Sequence, residues 1–145
     1  MITIYMRIRM RIFVDTSAWF ALSNRKDQHH KQAREFLASF QSVPVLFLTT
    51  DYVVDETLTL LRLKVSHREA LAYLRLFSRS PQLSREQVTP DHLKRAEEIF
   101  ARYDDKSWSF TDCVSFAFME AKNLQDAFTF DANFGQFGMK VHPLR

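Results

Sequence analysis

Ile2, Ile4, Met6, Ile8, Met10 and Ile12 alternate with Thr3, Tyr5, Arg7, Arg9 and Arg11, and both faces turn apolar at Phe13 and Val14. A period of two marks a strand, here half-exposed at its start and buried at its end. Asp15, Thr16 and Ser17 supply helix-capping residue types before the apolar run Ala18–Leu22. From about Asp27 to Phe40 the period becomes helical, with Ala33, Phe36, Leu37 and Phe40 on one face. Val43–Leu48 then reads as a buried strand beside the Pro44 boundary.

The second half repeats this alternation. Thr49 or Thr50 caps a helix to about Leu63, and Ser66 with Glu69 forms a capping box for a helix to about Phe77. Glu86–Val88 is a short strand. Thr89, Pro90 and Asp91 place the cap, the first-turn proline and the first-turn acid of the next helix. After the polar loop Asp104–Ser107, Ser109–Asp112 opens a helix to about Lys122. Ala127–Phe130 is a buried strand, Asn133–Phe137 a helical turn and Met139–Val141 a last strand. Strands alternating with helices predict one three-layer α/β/α domain around a mostly parallel sheet. Met10 also reads as a start, which makes residues 1–9 an extension and residues 10–145 the domain.

At 145 residues, 46% hydrophobic and 26% charged, the chain fits one globular domain. Its longest apolar runs are too short to span a bilayer or to form a secretory signal, so a cytoplasmic protein is expected. Gly135 and Gly138 are the only glycines, which excludes glycine-rich nucleotide cradles. The lone Cys113 suits a reducing compartment, and with five scattered histidines it argues against structural zinc. The net charge of +3 rests on the first nine residues: without Arg7 and Arg9 the balance is 18 basic against 17 acidic residues. Net charge is therefore a weak pointer to a nucleic-acid partner.

The acids carry more. Asp15 ends the first strand, Asp131 ends a later one, and Asp112 stands in the first turn of a helix. Open α/β sheets bind ligands beyond the carboxyl ends of their strands. Glu56 shares its helix face with Tyr52, Val53, Leu60 and Leu63 and points inward, whereas Asp55 lines up with Asp51, Thr59 and Arg62 on a solvated stripe. Each acid also has a plainer reading. Asp15 and Asp131 read as helix caps, Asp112 as half of a capping box with Ser109, and Glu56 as partner of a distant cation. Two carboxylates about 4 Å apart repel by roughly 4 kcal/mol at an effective dielectric near 20. Several acids sharing one crevice therefore call for protons or cations. Mg²⁺ and Mn²⁺ take oxygen ligands, and an acidic cup free of His and Cys suits metal-assisted phosphodiester hydrolysis.

Ile12–Trp19 resembles the opening of PIN-domain ribonucleases, especially the VapC toxins of prokaryotic toxin–antitoxin pairs. Thr50–Thr57, Ser109–Cys113 and Thr129–Phe134 resemble their second, third and fourth motifs, in order and spacing. The resemblance implies a sheet of five parallel strands and an acidic pocket binding Mg²⁺ or Mn²⁺. It assigns Asp15, Glu56, Asp112 and Asp131 as the acidic quartet. Asp15 and Asp112 are then direct metal ligands, and Glu56 and Asp131 act through water or complete a second ion site. Thr16 and Thr111 match supporting hydroxyl positions, though both also read as plain helix caps. It further implies an endoribonuclease with RNA as substrate, a small antitoxin partner and a homodimer.

Two other readings compete. A non-catalytic PIN-fold module would hold RNA or a partner without cutting it, but has no need of four acids that repel phosphate. A phosphatase of the haloacid dehalogenase type needs a second Asp two positions after the first, where this chain has Ser17. Arg25, Lys26, His29 and His30 are weaker phosphate candidates, read first as a solvated helix start. Arg7, Arg9 and Arg11 form a basic strand face. The fourteen phenylalanines, Phe116, Phe118 and Phe128 among them, read as core, and Cys113 as a buried thiol.

Overall fold

The computed structural model describes residues 10–144. The run Ile2–Ile8, Arg7, Arg9 and the proposed extension lie outside the described residues. The first strand, β1 (Met10–Val14), is followed by α1 (Thr16–Ser23), α2 (His30–Ala38), β2 (Val45–Thr50), α3 (Asp51–Lys64) and α4 (His67–Arg79). Then come β3 (Leu83–Glu86), α5 (Pro90–Arg102), α6 (Phe110–Ala121), β4 (Asp126–Phe128), α7 (Asn133–Phe137) and β5 (Lys140–His142). No helix among them is long and apolar enough to cross a membrane.

The strands form one sheet in the order β3-β2-β1-β4-β5, and every neighbouring pair is parallel. β1 lies at its centre, and Ile12, Phe13 and Val14 are buried on both faces, as an apolar run in a parallel sheet requires. Phe13 aligns with Leu48 and Ala127. On that face it packs against Phe118 of α6 and Phe134 of α7, with ring centroids 5.9 Å away in both cases. On the other face Phe36 of α2 and Phe40 in the turn after it meet Phe128 and Phe47, and Trp19 of α1 is backed by Tyr73 and Phe77 of α4. The expected α/β/α layering and the core role of Phe116, Phe118 and Phe128 are both present.

The topology places the ligand crevice. The chain builds β1, β2 and β3 outward on one side, then crosses back to lay β4 and β5 on the other. The gap between β1 and β4 is thus the switch point of the sheet, where loops diverge and ligands bind. The residues that follow these two strands face each other across it.

Several element ends differ from the sequence expectation, each for a local reason. α2 starts at His30 rather than Asp27, because Asp27 Oδ1 accepts the His29 N–H at 2.8 Å and holds a turn there. β2 starts at Val45, leaving Val43 exposed, and runs on to Thr50, whose hydroxyl caps α3. β3 ends at Glu86 instead of beginning there, since Asp51 Oδ1 takes the N–H of Val88 at 3.0 Å. β4 stops at Phe128, two residues early, and Asp131 therefore lies in a loop beyond the strand. β5 is displaced by one residue. Ser66 caps α4 through the N–H of Glu69, without the reciprocal bond of a full capping box.

The anchor beneath the β4 loop is aromatic. Phe116 stacks on Phe137 at 4.4 Å and meets Phe134 at 5.0 Å and Trp108 at 5.1 Å, fixing α7 against α6. Truncation of a buried aromatic costs about 3–5 kcal/mol. Phe116→Ala should therefore lower the thermal midpoint by many degrees while Phe116→Leu keeps most of it. Equal midpoints in thermal denaturation would show that this cluster does not hold α7.

Candidate active site

A cavity of about 520 Å³ opens at the switch point, and Asp15, Glu56, Asp112 and Asp131 all line it. They arrive from four places: the end of β1, the inner face of α3, the first turn of α6 and the loop after β4. The plainer readings fare unequally. Asp15 occupies the N-cap position of α1 but makes no side-chain capping bond. Asp112 does form the capping box, accepting the Ser109 N–H at 3.0 Å while Ser109 Oγ accepts its own N–H. Asp131 accepts the Asn133 N–H at 3.0 Å, at the start of α7. Capping and lining the cavity are compatible for these two.

Asp15 is 4% exposed, and its Oδ2 accepts hydrogen bonds from Ser17 Oγ and Thr129 Oγ1, each at 2.9 Å. Ser17 Oγ also receives the Phe130 N–H at 2.9 Å, and Thr129 Oγ1 the Asp131 N–H at 3.0 Å. Two hydroxyls thus stitch the β1 loop to the β4 loop around one carboxylate. Asn133 joins the other two acids: its Nδ2 donates to Asp112 Oδ2 at 2.9 Å and to Asp131 Oδ2 at 3.3 Å. Ser17, Thr129 and Asn133 all lie inside the motifs, but the hydrophobic pattern does not mark them as carboxylate donors, and Ser17 reads there as a capping type. A short polar residue two positions from each of Asp15 and Asp131 was the available signal.

Glu56 is half-buried, with no ion pair among the described residues, whereas Asp55 is exposed and outside the cavity. The face argument separates these neighbours correctly, although Leu63, placed on the inner row, is 77% exposed at the helix end. Thr16 is buried and lines the cavity, and its Oγ1 has no hydrogen-bond partner. Thr111 is not among the lining residues, and Ser109 rather than Thr111 caps α6. Arg25 and Lys26 are exposed away from the cavity. His29 stacks flat on Phe130 at 4.4 Å, and His30 Nδ1 lies 2.7 Å from the Ala21 carbonyl. Arg11 donates to the Lys122 carbonyl at 3.0 Å. Burial pushes the Cys113 thiol up to about 11, which removes it as a nucleophile at neutral pH.

Electrostatics sets the site's chemistry. Burial, and then the neighbouring Asp112 carboxylate, push Asp15 from the usual 3.8 up to about 7. Asp112 is also raised, first by burial, with Asp131 adding repulsion against its hydrogen bonds from Ser109 and Asn133. All the donors holding these acids are uncharged, so they fix the carboxylates without neutralising them. The donor set is all oxygen, as hard divalent cations prefer. Among the described residues no three acidic, His or Cys side chains close into a ready-made cage. A hard ion fits this arrangement through one or two direct carboxylates, with water completing its shell.

The model of the PIN domain family matches residues 12–139. The 23S rRNA-specific endonuclease VapC20 of Mycobacterium tuberculosis is 40% identical over 135 residues, spanning 91% of this chain and 98% of that protein. The crystal structure of VapC20, described as a sarcin–ricin loop cleaving toxin, matches with a TM-score of 0.82 at 38% identity and covers 89% of this chain and 96% of that one. A crystal structure of VapBC2 from Rickettsia felis, bound to a DNA fragment from its promoter, reaches 0.67 at 12% identity. It covers 92% of this chain and 98% of that one, and shows a shared fold.

A carboxyl raised on folding binds a proton that the unfolded chain has already released. Without divalent ions, the contribution of Asp15 to stability should therefore be fully present in acid and be lost as pH rises from about 4 through the folded value near 7. Asp15→Asn removes that loss, and because both hydroxyls donate to one oxygen, an amide oxygen can keep both bonds. Thermal denaturation with chelator at pH 8 should find Asp15→Asn more stable by about 1–3 kcal/mol. Mg²⁺ should raise the wild-type midpoint more at pH 8 than at pH 5. A pH-independent midpoint, or a destabilised Asp15→Asn, would contradict the charge argument.

Proposed function

The chain belongs to the PIN domain family, and from that premise we propose that it is a metal-dependent endoribonuclease, the toxin half of a toxin–antitoxin pair. The observation that carries the reading is the meeting of four carboxylates in one cavity at the sheet's switch point, with Asp15, Asp112 and Asp131 held by neutral donors and none of the four in an ion pair among the described residues. A pure RNA-binding surface gains nothing from such a cluster, which repels phosphate unless cations intervene. The Ser17 hydroxyl, tied to Asp15 and the Phe130 N–H, is not the second acid that the phosphatase alternative needs.

In this reading Asp15 and Asp112 hold Mg²⁺ or Mn²⁺ directly, and Glu56 and Asp131 act through water or complete a second ion site. When bound, the ion supplies the positive charge that lets water lose a proton near neutral pH and offsets charge building on the phosphate. Ser17 and Thr129 fix the position of Asp15, and Asn133 keeps Asp112 and Asp131 side by side. The unpartnered Thr16 hydroxyl offers a hydrogen bond to substrate or water. Hydrolysis by in-line attack of water leaves a 5′-phosphate. Thr111 has no place in this machinery.

Ribosomal RNA is the first substrate to test, since a 40% identical relative of nearly equal span is named as a 23S rRNA-specific endonuclease. The proposal includes a small antitoxin and a homodimer; a free monomer by light scattering at micromolar concentration would remove the dimer. Purified protein should cut a hairpin carrying the sarcin–ricin loop in Mg²⁺ or Mn²⁺, and chelator should stop it. Asp112→Asn should lower cleavage by more than the roughly 10–100-fold typical of residues that merely support metal ligands. Cleavage that survives both would sink the assignment. Tight binding without cutting would instead identify the non-catalytic module.

A further inference from the structure

Among the described residues Lys64 is the only lysine or arginine lining the acidic cavity. It ends α3 two helical steps of four beyond Glu56, on the row Glu56–Leu60–Lys64, and so lies about 12 Å further along the helix axis. Four carboxylates share its cavity, yet Lys64 pairs with none of them: the ion pairs among the described residues involve other lysines, Arg95 and His142. Cations suit the last turn of any helix, and α3 carries both Arg62 and Lys64 there. That accounts for two cations but not for the face each one takes. Both are exposed, but Arg62 meets His67 Nδ1 at 3.0 Å, whereas Lys64 borders the cavity. Half-buried Leu60 stands between Glu56 and Lys64 on this row, and half-buried Phe20, one turn after Thr16 on α1, also lines the cavity.

Along the α3 row the lining thus passes from a carboxylate, over an apolar side chain, to an ammonium that has no ion pair among the described residues. A nucleic-acid strand presents the matching series: a phosphate, then a sugar and base, then another phosphate. We propose that Lys64 binds a backbone phosphate flanking the scissile one, with the intervening nucleotide laid against Phe20 and Leu60. The proposal rests on the nuclease reading and extends it to how the strand is held. Lysine acts here as a mobile point charge on a long stem. It sets binding and register, while the chemistry stays with the acids.

The test is steady-state cleavage of the sarcin–ricin hairpin by Lys64→Gln and Lys64→Arg, at several salt concentrations. Lys64→Gln should raise KM by about tenfold with kcat within about twofold, because a phosphate contact strengthens binding without serving the chemical step. The slope of log KM against log salt should lose about 0.7–0.9, the loss of one phosphate contact. Lys64→Arg should restore most of both. The rise in thermal midpoint with Mg²⁺ should be unchanged in Lys64→Gln, which separates a strand contact from damage to the acids. An unaltered KM and slope, a loss confined to kcat, or a loss that arginine does not rescue would each overturn the assignment. Wild-type protein that neither cuts nor binds RNA would overturn the nuclease reading itself, and the role of Lys64 with it.

Discussion

The architecture of the site depends on one unfavourable contact, the approach of Asp15 to Asp112 in a largely dehydrated crevice. Burial raises both groups, the Asp112 charge adding to it at Asp15 and the Asp131 charge at Asp112, so the folded chain holds the acids together against their own electrostatics. It does so with hydroxyls, an amide and backbone N–H groups, which fix carboxylate oxygens while leaving the negative charge uncancelled. A lysine or arginine among the acids would have been the simpler stabiliser, but it would occupy the place of a catalytic cation. Neutral donors give geometry and leave the charge available.

Because repulsion works against the site, rigidity has to come from beneath it. The β1 and β4 loops are bound to each other through Ser17 and Thr129, so neither can withdraw alone. α7, which presents Asn133, is pinned by the stacked rings of Phe116, Phe134 and Phe137. Asp112 is set by the cap of a helix whose residues from Asp112 to Met119 are all buried. Capping and a place in the acidic cavity, which the sequence offers as alternatives for Asp112, reinforce one another. The helix N-terminus favours the anion, and the anion completes the helix.

This also explains what could be read from residues alone. The quartet was legible because each acid stands against a strong local pattern: a strand ending in apolar residues, an inward helix face, a capping signature. The layering and the core phenylalanines were legible for the same reason. Strand ends were not. β3 and β4 stop where a side chain, Asp51 or Ser17, captures the backbone N–H two residues beyond the strand end, and such long-range bonds leave no trace in local periodicity. Thr111 shows the converse limit, since a motif position lay outside the cavity once Ser109 took the cap. Asn133 and Lys64 needed the fold, because their meaning lies in which acids they approach and which they do not.

The final question is how a cavity built to concentrate negative charge can admit a polyanion at all. Phosphate approaching four carboxylates meets repulsion that falls only as cations enter, so substrate and ion must favour each other's binding. Such coupling makes the empty site both unstable and unwelcoming to RNA, and the loaded site better at both. Lys64 fits this economy of charge through its position at the far end of the lining. It stands far enough from the carboxylates to remain unpaired, and it is aligned with them along one helix row. Placed a turn earlier it would join the acids as an internal counter-ion. Where it stands, it can offset the strand's charge without entering the site of reaction.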